Sequence, residues 1–264
     1  MHRILMTGAA GGLGKLMRAP LREMAPVLRL ADLADAGPAQ EGEEVVTCDL
    51  ADAAAVDAMV EGVDFIVHFG GMSVENTFEV ILQSNIRGTY NLFEAARRQG
   101  KPRILFASSN HAIGFYEREA RLDANAPLRP DSLYGVSKCF GEALASYYWD
   151  KFGVESVCVR IGSCFPEPRD RRMLATWLSP ADLARMIRCI ATAERVGHTV
   201  LFGASANREQ WWDNSHAAYL GWTPQDSSEP YRAAIEAAHP PKPCDDPAVR
   251  YQGGGFAAAG HFED

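Results

Sequence analysis

Short apolar runs alternate with helix-length amphipathic stretches along most of the chain. The runs Arg3–Thr7, Val27–Ala31, Glu44–Thr47, Asp64–His68, Arg103–Ser108 and Glu155–Arg160 are too short for helices and rich in aliphatic side chains, and they read as buried strands. Helical patterns fall between them, near Gly12–Met24, Asp52–Val60, Glu75–Gln99 and Leu133–Phe152. One more strand, His198–Phe202, is expected after a helix over Pro180–Glu194. Strand–helix alternation at this spacing predicts an α/β fold, a doubly wound parallel sheet with helices on both faces. From Ala204 the chain turns richer in Trp, Pro and Gly (WWDN, GWTP, HPPKP, QGGG), which predicts a small irregular cap with one or two helices. The expected organisation is one domain, with residues 1–162 as the core and 163–264 as a capping segment that returns one strand to the sheet.

Composition narrows the function classes. The 264 residues are 47% hydrophobic and 23% charged, enough apolar material for one substantial core. A net charge of −8 leaves no basic stripe to neutralise phosphates, so nucleic acid is not an expected partner. The N-terminus MHRILMTGAAGG lacks the charged and long apolar regions of a signal peptide, and no apolar run approaches the ~18 residues of a membrane span. The six cysteines are scattered without a CxxC pair and the seven histidines do not cluster. Free thiols in a reducing cytoplasm, and no metal site, are expected.

The first strand runs into TGAAGGLGK, where Gly8, Gly11 and Gly14 form GxxGxxG and Gly12 and Leu13 share the turn. Such a turn lets the backbone approach a pyrophosphate, with helix amides aimed at it, which makes the expected sheet Rossmann-type. Asp32 ends the second strand 18 residues after Gly14, where a carboxylate can accept hydrogen bonds from an adenosine ribose; a turn-capping aspartate is the alternative. Neither Lys nor Arg follows it, so a 2′-phosphate would meet an uncompensated charge, and NAD is favoured over NADP. Asp49 and Leu50 close the third strand and Phe69, Gly70 and Gly71 the fourth, at the same carboxyl ends where open α/β sheets bind ligands.

In SLYGVSKCFGE, Tyr134 and Lys138 sit four apart, on one helix face with Cβ atoms roughly 5–6 Å from each other. Bringing a phenol from pKa ~10 to ~7 needs roughly 4 kcal/mol. An ammonium at ~4 Å in an effective dielectric of ~20 supplies about that much. The spacing can make a base.

The glycine turn, Asp32, the stretch NIRGTYNL from Asn85, the strand end FASSN and the Tyr134–Lys138 pair arrive in the order of the short-chain dehydrogenase/reductase superfamily, which the chain resembles over most of its length. The resemblance implies that Tyr134 is the acid/base and that Lys138 holds the cofactor ribose and stabilises phenolate. It further implies that Ser109, the last serine before the loop and so preferred to Ser108, orients the substrate oxygen, and that Asn85 supports a water relay. Ile161 and Cys164 are implied at the cofactor. FASSNHAIGFY, RPDSLYGVSKCFGE, RIGSCFPEP, RRMLATWLS, WWDNSH and YQGGGF resemble one branch more closely, the uronate dehydrogenases. Those oxidise the C1 hydroxyl of cyclic D-galacturonate or D-glucuronate to an aldarolactone with NAD. This likeness implies that Arg172 binds the C6 carboxylate, with Arg169 and Arg171 as rivals or surface neighbours. Ser73, Asn110, His111 and Ser163 are implied at the sugar hydroxyls, although His111 could instead cap a loop. Phe256 would close the pocket or belong to the core. A homo-oligomer is implied by family habit. The alternatives are a sugar-nucleotide epimerase or reductase of the same superfamily, and a non-catalytic dinucleotide sensor. Little more than 100 residues follow the catalytic helix, which suits a free sugar acid better than a nucleotide sugar.

Overall fold

The computed structural model describes residues 1–263. Its strands are β1 (Arg3–Thr7), β2 (Val27–Asp32), β3 (Glu43–Thr47), β4 (Phe65–His68), β5 (Arg103–Ser109), β6 (Ser156–Ile161), β7 (Ser163–Cys164), β8 (Trp177–Leu178) and β9 (His198–Gly203). The helices are α1 (Gly12–Arg22), α2 (Ala53–Val60), α3 (Phe78–Ile81), α4 (Gly88–Arg98), α5 (Leu133–Phe152), α6 (Met173–Thr176), α7 (Pro180–Thr192), α8 (Arg232–Ala238), α9 (Pro247–Arg250) and α10 (Gly255–Ala258). Among the described residues, seven strands form one parallel sheet in the order β3-β2-β1-β4-β5-β6-β9. The chain winds outward from β1 to β3, then restarts at β4 on the other side of β1. The crevice between β1 and β4 is therefore the topological switch point, where this architecture binds ligands.

Both faces of the sheet are covered, which explains why its strands read as continuous apolar runs. Alternate side chains go to opposite faces. Ile4 and Met6 pack with Met17 and Leu21 of α1 and with Leu183, Met186 and Ile187 of α7. Leu5 faces Val56 and Met59 of α2, Phe93 and Ala96 of α4, and Ala145 and Tyr148 of α5.

Three departures from the expected elements bear on function. The helix expected over Glu75–Gln99 begins only at Phe78, where the Thr77 hydroxyl accepts from Val80 N, and it is interrupted by a π-helical segment, Leu82–Arg87. Such π turns insert a residue into a helix and recur at functional sites; this one carries Asn85. Glu155 lies outside β6 because its carboxylate is used by the amides of Val196 and Gly197 and by Arg103. The small β7–β8 ladder was not foreseen, and it closes the loop that carries Arg172.

The tail is tied down by a stack. Trp212 lies flat on Phe202 of β9 at 5.1 Å, and its indole N–H donates to Gln252 Oε1 at 2.8 Å. The Gln252 amide in turn donates to the carbonyls of Glu117 and Ala120. These bonds bring Gly253–Ala258 back over the carboxyl end of β5. Among the described residues no helix is long and apolar enough to cross a membrane.

Candidate active site

A cleft of about 880 Å³ opens at the switch point, lined among others by Gly8, Gly11, Gly12, Leu13, Asp32, Asp49, Leu50, Phe69, Gly70, Gly71, Ser73 and Cys164. Gly8 has φ +72°, and a Cβ there would come within 2.7 Å of the Phe69–Gly70 backbone, so no other residue fits. Gly14 lies beneath the cleft instead of lining it. A Cβ at Gly14 would meet Gly8 O at 2.3 Å, so this glycine serves close packing of α1 on the turn. Asp32 accepts hydrogen bonds from the amides of Ala10 and Ala34, both at 2.9 Å. It thus caps the turn, as the alternative reading expected, and it also lines the cleft. Arg169 lines the same cleft and stacks on Phe165 at 3.8 Å, while Arg171 is tied to the tail through the carbonyls of His239 and Glu236.

Helix α5, which carries Tyr134 and Lys138, is fixed at its N-terminus by two caps. The Ser132 hydroxyl accepts from Gly135 N at 2.9 Å. The Glu75 carboxylate accepts from Leu133 N and Tyr134 N at 2.9 and 2.8 Å, reaching across from the loop after β4. Asn85 braces the same region: its side chain bonds the amide and carbonyl of Met72 (2.7 and 3.0 Å) and donates to Ser137 Oγ (2.9 Å). Ser137 Oγ itself donates to the Tyr134 carbonyl at 2.6 Å. Asn85 is thereby committed to holding the cleft loop against α5.

Tyr134 and Lys138 share a buried face, with the ammonium 5.3 Å from the Tyr134 ring centre and 5.1 Å from that of Phe106. Burial pushes the phenol up to about 12, against a downward pull from its hydrogen bond with Ser109. Burial also lowers Lys138 to about 8. Burial thus opposes ionisation of the phenol and also disfavours the charged form of the ammonium beside it. The reason is desolvation, which the helix spacing does not reveal.

Adjacent serines at the end of β5 point to opposite faces. Ser108 donates at 2.6 Å to Glu142, itself in a buried bidentate pair with Arg160 (2.9 and 2.8 Å). Ser109 faces Tyr134, and its hydroxyl accepts from His111 N at 3.2 Å. Next to them lies Arg172. Its Nε donates to Gln252 O at 2.7 Å and one Nη to Ser163 Oγ at 3.2 Å. Asn110, with its amide oriented to satisfy all its neighbours, donates to the carbonyls of Ile161 and Gly162 and accepts from the other Nη at 2.5 Å. Burial lowers Arg172 to about 10. Among the described residues it has no carboxylate within ion-pair distance. His111 is paired through Nδ1 with Asp131 at 2.8 Å, stacked on Phe256 at 3.9 Å, and edge-on to Tyr134 at 5.8 Å. Phe256 lies 6.1 Å from the Tyr134 ring and covers the cluster from the tail. Ser73 lines the cleft at the switch point.

The sequence model of the NAD dependent epimerase/dehydratase family matches residues 4–218. The chain belongs to that family. It is 57% identical to a uronate dehydrogenase of Pseudomonas putida, over 99% of this chain and 97% of that one. The fold superposes with TM-score 0.98 on the glucuronic acid dehydrogenase of Chromohalobacter salexigens, at 57% identity covering 100% and 99% of the two chains. It superposes with TM-score 0.97 on a tyrosine-to-alanine mutant of the Agrobacterium tumefaciens uronate dehydrogenase complexed with NAD, at 56% identity and 98% of each chain.

The cofactor of this NAD dependent epimerase/dehydratase fits the cleft: the backbone around Gly8 leaves no side chain in the way, and the Asp32 carboxylate lines the space. NAD is its cofactor. Sequence reasoning did not find Glu75, Asp131, Ser137 or Gln252. Glu75 reaches its amides across 58 residues of chain, and no local pattern signals such a bond. Asp131 directly precedes the N-cap serine, so its pairing with His111 was masked by an ordinary helix start.

Proposed function

We propose that the protein oxidises the C1 hydroxyl of a cyclic uronic acid, D-galacturonate or D-glucuronate, to the aldarolactone. The observation that carries this reading is the half-buried guanidinium of Arg172, aligned by Ser163, Asn110 and the Gln252 carbonyl and without a carboxylate in ion-pair contact among the described residues. An isolated buried charge is costly, and a substrate carboxylate is the natural complement to a fixed guanidinium. In a pyranose uronate C1 and the carbon that bears the carboxylate both flank the ring oxygen, so a guanidinium that holds the carboxylate also fixes where C1 sits relative to the base. The names of the relatives, uronate and glucuronic acid dehydrogenases, support the same substrate class.

Bound NAD supplies the hydride acceptor and a cationic ring. Ser109 holds the C1 oxygen, and Tyr134 takes its proton as the C1 hydrogen leaves with its electron pair. Loss of both hydrogens from a ring hemiacetal leaves an ester, so the product is a lactone. Lys138 keeps an ammonium beside the phenolate that forms. Phe256 and the tail keep water from the reacting atoms.

Exposed Phe78, Val80, Tyr90, Val136 and Tyr147 along α3 to α5 support self-association through these helices. The unpaired cysteines suit a reducing cytoplasm. The function is tested by following NADH absorbance with galacturonate, glucuronate, galactose and a nucleotide-linked sugar. Fast turnover of the two free acids is expected, and turnover confined to the neutral or nucleotide-linked sugar would overturn the proposal.

A further inference from the structure

A second cavity, of about 620 Å³, shares no lining residue with the cleft at the switch point. Tyr134, Ser109 and His111 do not line it either, whereas Arg172 does. On a chain of net charge −8, it is lined by five cationic side chains and three carboxylates. Most of the cations are answered. Arg232 is bound by Glu209, Glu229 and Glu236, Arg171 approaches Glu236 at 3.8 Å, and Lys242 approaches Asp246 at 4.0 Å. The third lining carboxylate, Asp170, accepts from Met173 N at 2.9 Å. Arg118 and Arg172 are left without a carboxylate in ion-pair contact among the described residues. Arg118 is nonetheless held in place. Its backbone N–H donates to Arg250 O at 3.0 Å, one Nη donates to Ala248 O at 3.0 Å, and the guanidinium lies 5.4 Å from the Trp211 ring centre. Its Nε is buried with no partner. Such an orphaned donor on a fixed cation costs free energy until an acceptor reaches it. Burial lowers Arg118 from its usual value, and Arg118 in turn lowers Arg172 by charge repulsion.

We propose that this cavity is a second carboxylate site, in which the guanidinium of Arg118 holds one end of an open-chain sugar diacid. The choice of ligand rests on the uronate reading and deepens it. Water adds to the carbonyl of an aldarolactone, the ring C–O bond breaks, and a six-carbon chain with a carboxylate at each end results. The product of the reaction thus becomes a dianion, the charge that the cavity lacks. Its size also suits the space: small-molecule pockets span roughly 300–1,000 Å³, and an ion as small as phosphate would leave most of the 620 Å³ to water. Bound there, the diacid adds negative charge near Arg172 and weakens the pull of that guanidinium on a uronate carboxylate. A neutral sugar, with no carboxylate, is unaffected. The hydrolysed product therefore slows oxidation of the acid through KM.

The test titrates NAD-bound wild type and Arg118→Met with glucarate and with inorganic phosphate by calorimetry at fixed ionic strength. It is joined to inhibition kinetics on glucuronate and on glucose. Wild type should bind glucarate, and Arg118→Met should bind it at least about tenfold more weakly, the loss of one charge-assisted contact. NAD affinity and kcat/KM on glucose should hold in the variant. In wild type, glucarate should raise KM for glucuronate at least about threefold, a coupling of roughly 0.6 kcal/mol, and leave glucose oxidation unchanged. No binding to wild type, or equal affinity in Arg118→Met, would overturn the proposal. Phosphate bound as tightly as glucarate would make the cavity a general anion site and overturn the assignment to a sugar acid. Glucarate that inhibits glucose oxidation as strongly as glucuronate oxidation sits in the substrate site and also overturns it. This last comparison decides on wild type alone should Arg118→Met not fold. A protein that oxidises no uronic acid, yet binds glucarate through Arg118, would instead sink the uronate reading and leave the second site standing.

Discussion

Replacing Lys138 by Met should make the NAD-free protein more stable while abolishing its activity. The lysine is buried beside two aromatic rings without a carboxylate partner, and burial lowers it from 10.5 to about 8. At ~1.4 kcal/mol per pH unit, holding it charged costs roughly 3 kcal/mol at any pH below 8. Between about pH 8 and 10.5 the unfolded chain binds the extra proton, so stability rises with pH there, and above 10.5 the penalty is gone. Met fills similar space but forfeits the ammonium's contacts with Phe106 and Tyr134, worth about 1 kcal/mol. A net gain of about 2 kcal/mol at pH 7 remains, which for a chain of this length is about 4–8 °C in Tm. Calorimetry of NAD-free wild type and variant at pH 7 and pH 10.5 measures it. The variant should melt higher at pH 7, and the gap should close or reverse at pH 10.5. A variant that melts lower at pH 7, or an equal gap at both values, would refute the claim that desolvation governs this lysine.

Tyr134→Phe should cut turnover at least ~100-fold, in the range of general-base loss, with NAD affinity largely kept by fluorescence titration; near-normal turnover would remove it as the base. Asp32→Ala should lower the preference for NAD over NADP at least about tenfold in kcat/KM, since a carboxylate facing a 2′-phosphate is worth upwards of ~1.4 kcal/mol of discrimination; an unchanged ratio counts against its placement. Glu75→Ala unties two amides of α5 and should reduce kcat about tenfold or more through a displaced Tyr134, with little change in the NAD dissociation constant; an unaltered kcat would show that Ser132 suffices as the cap.

The strands were legible because burial on both faces makes each a continuous apolar run, and their ends shifted by only a residue or so. The glycine turn, Asp32 and the Tyr134–Lys138 pair were legible because each stands out by residue type and spacing at the end of a strand or along one helix face. What escaped was tertiary. Glu75 and Gln252 act through backbone groups far along the chain, and the π turn that carries Asn85 leaves no mark in hydrophobic periodicity. Helix spacing reports the distance between Tyr134 and Lys138, whereas desolvation, which opposes ionisation of the phenol, depends on what packs over the pair and is not legible in the sequence. The preference for Ser109 over Ser108, made on position alone, agrees with the alternation of β5, which sends Ser108 into the Glu142–Arg160 pair.

The central claim is that a fixed guanidinium selects a sugar acid. The most direct measurement is the ratio of kcat/KM for glucuronate over glucose in wild type and Arg172→Met. A bidentate, water-excluded carboxylate contact worth about 3 kcal/mol predicts that this ratio falls at least ~100-fold in the variant, with turnover of glucose nearly unchanged. A ratio that stays the same, with both substrates losing equally, would contradict the account.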